Sequence, residues 1–132
     1  MVVLNYLIPF ASITFYPLNL SGFGLIIIGL SMAFRISKLF RMFNTEIHTF
    51  KTPQKLVTHG LFKYSRNPIY LGFVIALFGV WILLSGNLFS LFGVMFFFLI
   101  ANFGYIPYEE KQMETIFGQE YLAYKNKVRR WI

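Results

Sequence analysis

Two long runs of the sequence, residues 1–34 and 67–108, contain no Asp, Glu, Lys or Arg. Hydrophobic residues make up 57% of the 132-residue chain and charged residues only 13%, which is too apolar for a soluble domain of this size. Because a helix needs roughly 20 apolar residues to cross the hydrocarbon core of a bilayer, each run has room for about two crossings. The sequence therefore predicts one all-α, polytopic membrane domain over residues 1–132, with about four transmembrane helices.

Turn residues divide the first run into two predicted spans. The first span is expected at Val2–Tyr16, with a kink at Pro9. It is interpreted as a retained helix because it lacks the basic start and the small-residue cleavage site of a signal peptide. A turn at Pro17–Gly22 leads into the second span, Phe23–Phe40, whose far end carries basic side chains suited to the membrane surface.

The second run predicts an antiparallel helical hairpin. Its first helix is expected at Pro68–Leu84, its turn at Ser85–Asn87 and its second helix at Leu88–Ile106, with Pro107 interrupting that helix near the surface. The predicted domain thus has four parts: two N-terminal spans (1–43), a cytoplasmic connection (44–67), the hairpin (68–106) and an amphipathic C-terminal segment (107–132).

An apolar stripe marks the C-terminal segment. It consists of Met113, Phe117, Tyr121, Tyr124 and Val128, which recur at helical spacing. This pattern predicts a helix on the cytoplasmic face that lies on the membrane surface or packs back on the spans. Trp131 is suited to anchor the chain end at the interface.

The basic residues occupy two regions of the chain. Seven of the 12 lie in or beside the connection, and the other five lie in the C-terminal tail. In a four-span arrangement both regions, and both termini, fall on one side of the membrane, which the positive-inside tendency makes cytoplasmic. Anionic lipid head groups account for the net charge of +7 without invoking nucleic acid.

The acidic residues and the histidines narrow the kind of site that can form. All five acidic residues fall on the predicted cytoplasmic side, so no carboxylate is expected at mid-bilayer, which argues against a small ion-coupled exporter. The chain has no cysteine, and two histidines (His48 and His59) are too few for a zinc site, so we expect no metal. A site at the cytoplasmic membrane surface is favoured.

The junction Arg66-Asn67-Pro68 is the strongest candidate for that site. Asn67 is a preferred N-cap, and Pro68 is favoured at the first helical position, so a helix is expected to begin there. Arg66 stands beside the positive end of that helix and Tyr70 lies one turn in, an arrangement suited to an anionic ligand. We expect Leu56–Tyr70 and the segment after Tyr108 to converge into one cavity.

Two motifs in these regions resemble the signature of the isoprenylcysteine carboxyl methyltransferase and phospholipid methyltransferase group. The resemblance covers Leu56 to Ile132. The first motif is Leu56-Val57-Thr58, Gly60-Leu61-Phe62 and Tyr64-Ser65-Arg66-Asn67-Pro68-Ile69-Tyr70-Leu71-Gly72, and the second is Glu109-Glu110, Met113, Phe117-Gly118, Tyr121, Tyr124 and Val128. The resemblance implies an integral membrane enzyme that transfers a methyl group from S-adenosylmethionine by in-line displacement. The protein would contribute positioning and a dry pocket.

The resemblance also implies the roles of individual residues. Arg66 and Glu110 are the expected catalytic residues, with Arg66 binding a carboxylate and Glu110 facing inward with the apolar stripe, whereas Glu114 faces solvent. The expected cofactor-binding residues are Gly60, Tyr64, Arg66, Asn67, Pro68, Tyr70, Glu109 and Glu110. Asn67 stands where the carboxyl methyltransferases carry the His that contacts the cofactor, and His59 is interpreted as a loop residue.

The acceptor of the methyl group stays open at this point. A lipid-borne or apolar acceptor is expected, with carboxylate O-methylation favoured and phospholipid or amine N-methylation as an alternative. Two further alternatives are an NADPH-dependent membrane reductase of the sterol-reductase type and a non-enzymatic membrane subunit. A bacterial inner membrane is expected rather than the endoplasmic reticulum. The oligomeric state is undetermined, although Gly22, Gly24 and Gly29 offer a possible close-packing face.

Overall fold

The computed structural model describes residues 2–7, 16–43 and 52–132, and within these ranges all regular structure is helical. The predicted first span and the predicted connection therefore lie partly outside the described residues. The elements are α1 (Val2–Leu7), a 3-10 turn (Leu18–Ser21), α2 (Gly22–Met42), a second 3-10 turn (Gly60–Lys63), α3 (Pro68–Leu83), α4 (Leu88–Ile100), a π-turn (Ala101–Tyr105), α5 (Ile106–Phe117) and α6 (Gln119–Lys127).

Helices α2 and α3 pack antiparallel with their backbones in contact. Gly22 lies against Gly79, and Gly29 lies against Gly72. A Cβ atom at Gly29 would lie 2.2 Å from the Gly72 carbonyl oxygen, and one at Gly22 would lie 2.3 Å from the Gly79 carbonyl oxygen. The glycines predicted as a possible close-packing face thus serve this packing inside the chain, except Gly24, which faces open space.

Helices α3 and α4 are joined by a short turn at Ser85–Asn87. Ser85 and Gly86 make the turn with φ angles of 65° and 62°, and the Asn87 side chain caps α4 by accepting from the Phe89 and Ser90 amides at 2.9 and 3.4 Å. Asn87, which was predicted only as a turn residue, is thus also the N-cap of α4.

Pro107 does not end the helix that follows the turn, and this prediction is wrong. The helix continues from Leu88 to Phe117, and the irregularity is the π-turn Ala101–Tyr105 immediately before Pro107. Proline lacks the N–H that would bond the carbonyl four residues earlier, and a local π register accommodates such a loss without stopping the helix.

The C-terminal segment forms two helices where one was predicted. Gly118, with a φ of +54°, separates α5 from α6. The apolar stripe nevertheless faces inward as expected: Tyr121 and Tyr124 are buried with Leu56, Val57 and Phe62, and Met113, Phe117 and Val128 pack against that cluster. The segment therefore packs back on the chain entering α3, which is one of the two arrangements predicted for it.

Two helices in the described residues are long and apolar enough to cross a membrane. They are Leu18–Met42, with 25 residues, and Leu88–Phe117, with 30 residues. Pro68–Leu83 is apolar but shorter. The all-α architecture is confirmed, whereas four crossings stay a prediction.

Candidate active site

The chain entering α3 lies against the last residues of the molecule, Val128–Ile132, which we call the C-terminal strap. The Arg66 amide donates to the Arg129 carbonyl oxygen at 3.0 Å, and the Ser65 hydroxyl donates to the Arg130 carbonyl oxygen at 3.4 Å. The helix entrance and the C-terminal strap, which are far apart in sequence, thus lie together, whereas the single cavity expected between them stays a prediction.

Asn67 takes part in this junction in an unexpected way. Helix α3 begins at Pro68 as predicted, but the Asn67 side chain makes no capping hydrogen bond. Its Nδ2 instead donates to the Arg130 carbonyl oxygen at 3.1 Å, while its backbone amide donates to the Ser65 hydroxyl at 3.1 Å. The predicted cap is wrong because the Asn67 side chain holds the strap.

Three charged side chains meet beside this entrance. Glu110 is buried and faces inward as predicted, with 6% of its surface exposed. Arg130 donates to it through both ends of its guanidinium, with Nε to Oε1 at 3.1 Å and Nη2 to Oε2 at 2.7 Å. Arg66 Nη1 lies 3.2 Å from the same Oε1. Two cations therefore share one carboxylate, which leaves this group of three with one excess positive charge.

The excess charge is located on Arg66. Its side chain is only 9% exposed, yet its Nε and Nη1 atoms have no hydrogen-bond partner, so the Nη1 approach to Glu110 is an ion pair without a hydrogen bond. The positive charge of Arg66 also acts on the Tyr121 hydroxyl, where it lowers the pKa against the larger raising effect of burial. A buried donor without an acceptor is costly, and an incoming anion would satisfy it.

The π-turn holds Arg130 from the other side. Asn102 lies on this turn, and its backbone oxygen and its Oδ1 are each 3.5 Å from Arg130 Nη1. The Trp131 indole donates to the same Oδ1 at 3.0 Å, and its ring stacks on Phe98 with centroids 5.0 Å apart. The strap is therefore fastened to α4 and the π-turn as well as to the α3 entrance.

Glu109, the carboxylate that precedes Glu110 in the sequence, has a different environment. The Tyr70 hydroxyl donates to Glu109 Oε1 at 2.9 Å, and the Tyr70 ring stacks on Tyr105 with centroids 6.5 Å apart. Two aromatic faces beside a carboxylate form a surrounding that suits a cationic group. The structure thus separates a cationic region around Arg66 from an aromatic and acidic region around Tyr70.

The remaining predicted residues lie in less enclosed positions. Tyr64 is 73% exposed, so it walls no pocket, and Gly60 has a φ of +60° that favours glycine in the 3-10 turn before α3. His59 stacks on Phe43, consistent with a loop residue. Glu114 was expected to face solvent, but it pairs with Lys125 and is only partly exposed.

A separate surface depression lies between the loop before α3 and α6. Its volume is about 480 Å³. It is open and is lined by Leu56, Thr58, Lys63, Glu120, Ala123, Tyr124, Lys127 and Val128. Because none of the residues predicted to bind the cofactor lines it, this depression is distinct from the site at Arg66.

Comparison with known sequences decides the family. A sequence model of phospholipid methyltransferases matches residues 18–120, which include both motifs up to Glu120. The chain belongs to the phospholipid methyltransferase family. The resemblance found in the two motifs is thereby confirmed.

Relatives within this family carry different names. Methanethiol S-methyltransferase 1 of Bradyrhizobium diazoefficiens is 30% identical over 122 residues, which are 91% of this chain and 41% of that protein. Protein-S-isoprenylcysteine O-methyltransferase B of Arabidopsis thaliana is 31% identical over an alignment of 136 positions, gaps included, which covers 96% of this chain and 66% of that protein. The yeast protein-S-isoprenylcysteine O-methyltransferase is 40% identical over 87 residues. This chain therefore spans from about two fifths to just under two thirds of the first two relatives' lengths.

Sequence reasoning missed Arg130, Asn102 and Tyr105 as members of the site. The basic chain end was assigned to lipid head groups, and Asn102 lay within an apparently uniform apolar run. The position of Asn102 was a usable signal, because a lone amide side chain within an apolar run needs polar partners inside the protein. For Arg130, nothing in the local pattern separates it from its neighbour Arg129, whose side chain is exposed.

Proposed function

We propose that this chain transfers a methyl group from S-adenosylmethionine to a lipid-borne or apolar acceptor at the cytoplasmic membrane face, with O-methylation of a carboxylate favoured. The observation that carries the proposal is the buried Arg66 guanidinium at the start of α3, whose Nε and Nη1 have no hydrogen-bond partner. Membership of the phospholipid methyltransferase family supports the reaction class.

The residues at the α3 entrance fit the methyl donor. Arg66 would bind its carboxylate, because a guanidinium makes strong charge-assisted hydrogen bonds to a carboxylate. Tyr70 and Glu109 would face its cationic part, and Asn67 and Pro68 would border it through the helix start. Gly60 and Tyr64 would contact the methyl donor only from the segment that precedes α3. Glu110 would act through Arg130, which it binds, and Arg66, with which it forms an ion pair.

The chain's own contribution is binding, orientation and exclusion of water. When bound, S-adenosylmethionine supplies a methyl group on a positively charged sulfur. The aromatic faces of Tyr70 and Tyr105 would hold such a cation in a poorly hydrated surrounding, which favours loss of charge in the transition state. Arg66 would fix the far end of the molecule, so that orientation accounts for much of the rate.

An amine acceptor is the second candidate. The Tyr70–Glu109 hydrogen bond and the Tyr70–Tyr105 stack form an aromatic and acidic surrounding that suits an ammonium group as well as a sulfonium. The name of the family, phospholipid methyltransferase, is compatible with such a head group. The acceptor would approach from the lipid side of a multi-pass protein whose termini and site face the cytoplasm.

Mass spectrometry can identify the acceptor directly. The purified chain is incubated with a bacterial membrane lipid extract and S-adenosylmethionine carrying an isotope-labelled methyl group. We expect label in an apolar carboxylate ester, or in an amine if the second candidate holds, and no label with Arg66→Ala. Label that is absent with the wild type in every lipid and small-molecule fraction would contradict the proposal.

A further inference from the structure

We propose that Arg130 is a positioning residue that occupies Glu110 and so keeps Arg66 available for the carboxylate of a bound ligand. This inference rests on the proposed function, because the ligand in question is the methyl donor or its demethylated product. It adds a second arginine, contributed by the chain end, to the residues that determine which ligands bind.

The geometry divides the two arginines into different roles. Arg130 makes two nearly parallel hydrogen bonds to Glu110, at 3.1 and 2.7 Å, which is the strong two-pronged pairing of guanidinium and carboxylate. Arg66 comes within 3.2 Å of one Glu110 oxygen but makes no hydrogen bond to it through Nε or Nη1. Glu110 is therefore bound by Arg130 and only approached by Arg66.

The different roles of Arg130 and Arg66 affect the binding of a ligand carboxylate through their charges. One carboxylate cannot neutralise two guanidinium groups, and an uncompensated charge on a side chain only 9% exposed is unfavourable. A ligand carboxylate would remove that penalty by pairing with Arg66. If Arg130 were neutral, Glu110 would take Arg66 as its ion-pair partner, and the ligand would have to compete with it.

The position of Arg130 is set by the fold rather than by Glu110 alone. Its carbonyl oxygen accepts from Asn67 Nδ2 at 3.1 Å, its neighbour Trp131 donates to Asn102, and its own Nη1 lies 3.5 Å from Asn102 Oδ1. Because backbone and side chain are both held, replacing the guanidinium removes its charge while the strap keeps its other anchors.

Two ligands that differ in the amino-acid part test the proposal. S-adenosylhomocysteine carries the carboxylate, and 5′-methylthioadenosine keeps the adenosine and the sulfur but lacks it. Isothermal titration with the full chain in detergent is expected to show tighter binding of S-adenosylhomocysteine. In Arg130→Gln we expect its affinity to fall about tenfold, the effect of losing about 1.4 kcal/mol, with little change for 5′-methylthioadenosine.

A second substitution, which removes the Glu110 charge, distinguishes a positioning role of Arg130 from a general loss of structure. In the double variant Arg130→Gln/Glu110→Gln no carboxylate competes for Arg66, so the affinity for S-adenosylhomocysteine is expected to return to within about threefold of the wild type. Arg129→Gln, in the same strap but with an exposed side chain, is the matched control and is expected to bind both ligands like the wild type.

The outcomes distinguish this inference from the proposed function. A wild-type chain that binds neither ligand overturns the proposed function and this inference with it. A wild type that prefers S-adenosylhomocysteine, combined with an unchanged preference in Arg130→Gln or no recovery in the double variant, overturns the inference alone. If Arg130→Gln does not fold, the neutral variant Arg130→Met takes its place, and an undiminished preference for S-adenosylhomocysteine in it contradicts the proposal.

Discussion

At the scale of single residues, the site depends on buried polar groups whose partners lie far away in sequence. Tyr124 is an example: its hydroxyl donates to the Phe62 carbonyl oxygen at 2.7 Å and so joins α6 to the 3-10 turn before α3. Burial raises the pKa of Tyr124 above its ordinary value of 10.0, with Tyr121 adding to the shift. Burial also raises the pKa of Tyr121, with Glu110 as the second cause.

Replacing Tyr124 by Phe tests this link. We expect a loss of about 1–3 kcal/mol in stability, because the buried Phe62 carbonyl oxygen loses its donor. A tyrosine whose pKa is raised by folding stabilises the protein fully below the unfolded pKa and loses that contribution as the pH rises further. Stability is therefore expected to fall above pH 10, and less steeply in Tyr124→Phe.

Thermal unfolding followed by circular dichroism between neutral pH and pH 11 measures both effects. Tyr16→Phe, at a position 80% exposed, is the control and is expected to follow the wild type throughout. An identical decline at alkaline pH in Tyr124→Phe and the wild type would show that neither the burial of this hydroxyl nor its bond matters for stability.

At the scale of elements, the closest packing in the described residues is that of α2 on α3. Small residues allow two membrane helices to approach until their backbones touch, which increases dispersion contacts where no hydrophobic effect is available. The sequence shows glycines on both helices, but which glycine meets which depends on the register of two distant segments. The pairing of Gly29 with Gly72 could therefore be recognised only from the structure.

Gly29→Ala is expected to destabilise the protein by about 1–3 kcal/mol, because the added methyl group overlaps the α3 backbone. Its Cβ would lie 2.2 Å from the Gly72 carbonyl oxygen and 2.7 Å from the Ala76 amide nitrogen. Gly24→Ala is the matched control on the same helix, where nothing lies within 4 Å of the new atom.

In that control, the better helix propensity of alanine leaves stability unchanged or raises it by up to about 1 kcal/mol. Unfolding in mixed micelles with increasing denaturing detergent compares the two variants. Equal stability of Gly29→Ala and Gly24→Ala would contradict the α2–α3 packing described above.

At the scale of the whole molecule, the sequence predicted most of what local physics controls. The start of α3 at Pro68, the turn at Ser85–Asn87 and the inward orientation of Glu110 follow from residue type and periodicity. The role of Asn67, the π-turn and the docking of Arg130 did not follow, because each depends on a partner brought close only by the complete fold. The contact between the two motifs was partly predictable, because it required only that the hairpin of α3 and α4 return the chain to the end at which α3 begins.

The number and direction of membrane crossings is a separate whole-molecule prediction. The natural chain has no cysteine, so single cysteines can report on topology. In a four-span protein with cytoplasmic termini, Leu18→Cys is expected to react in intact cells with a maleimide that cannot cross the membrane. Asn126→Cys is expected to react only after the cells are opened. Both residues are exposed, and labelling of Asn126→Cys in intact cells would rule out this orientation.

Equilibrium binding of S-adenosylmethionine to the purified chain tests the central claim, that the buried guanidinium of Arg66 receives the carboxylate of the methyl donor. We predict micromolar binding by the wild type and no comparable binding of NADPH. In Arg66→Ala the affinity is expected to fall up to about a hundredfold, the effect of losing a charged hydrogen-bonded pair of about 3 kcal/mol. Arg41→Ala, at the exposed end of α2, is expected to bind like the wild type. Undiminished affinity in Arg66→Ala, or tighter binding of NADPH than of S-adenosylmethionine by the wild type, would contradict the account.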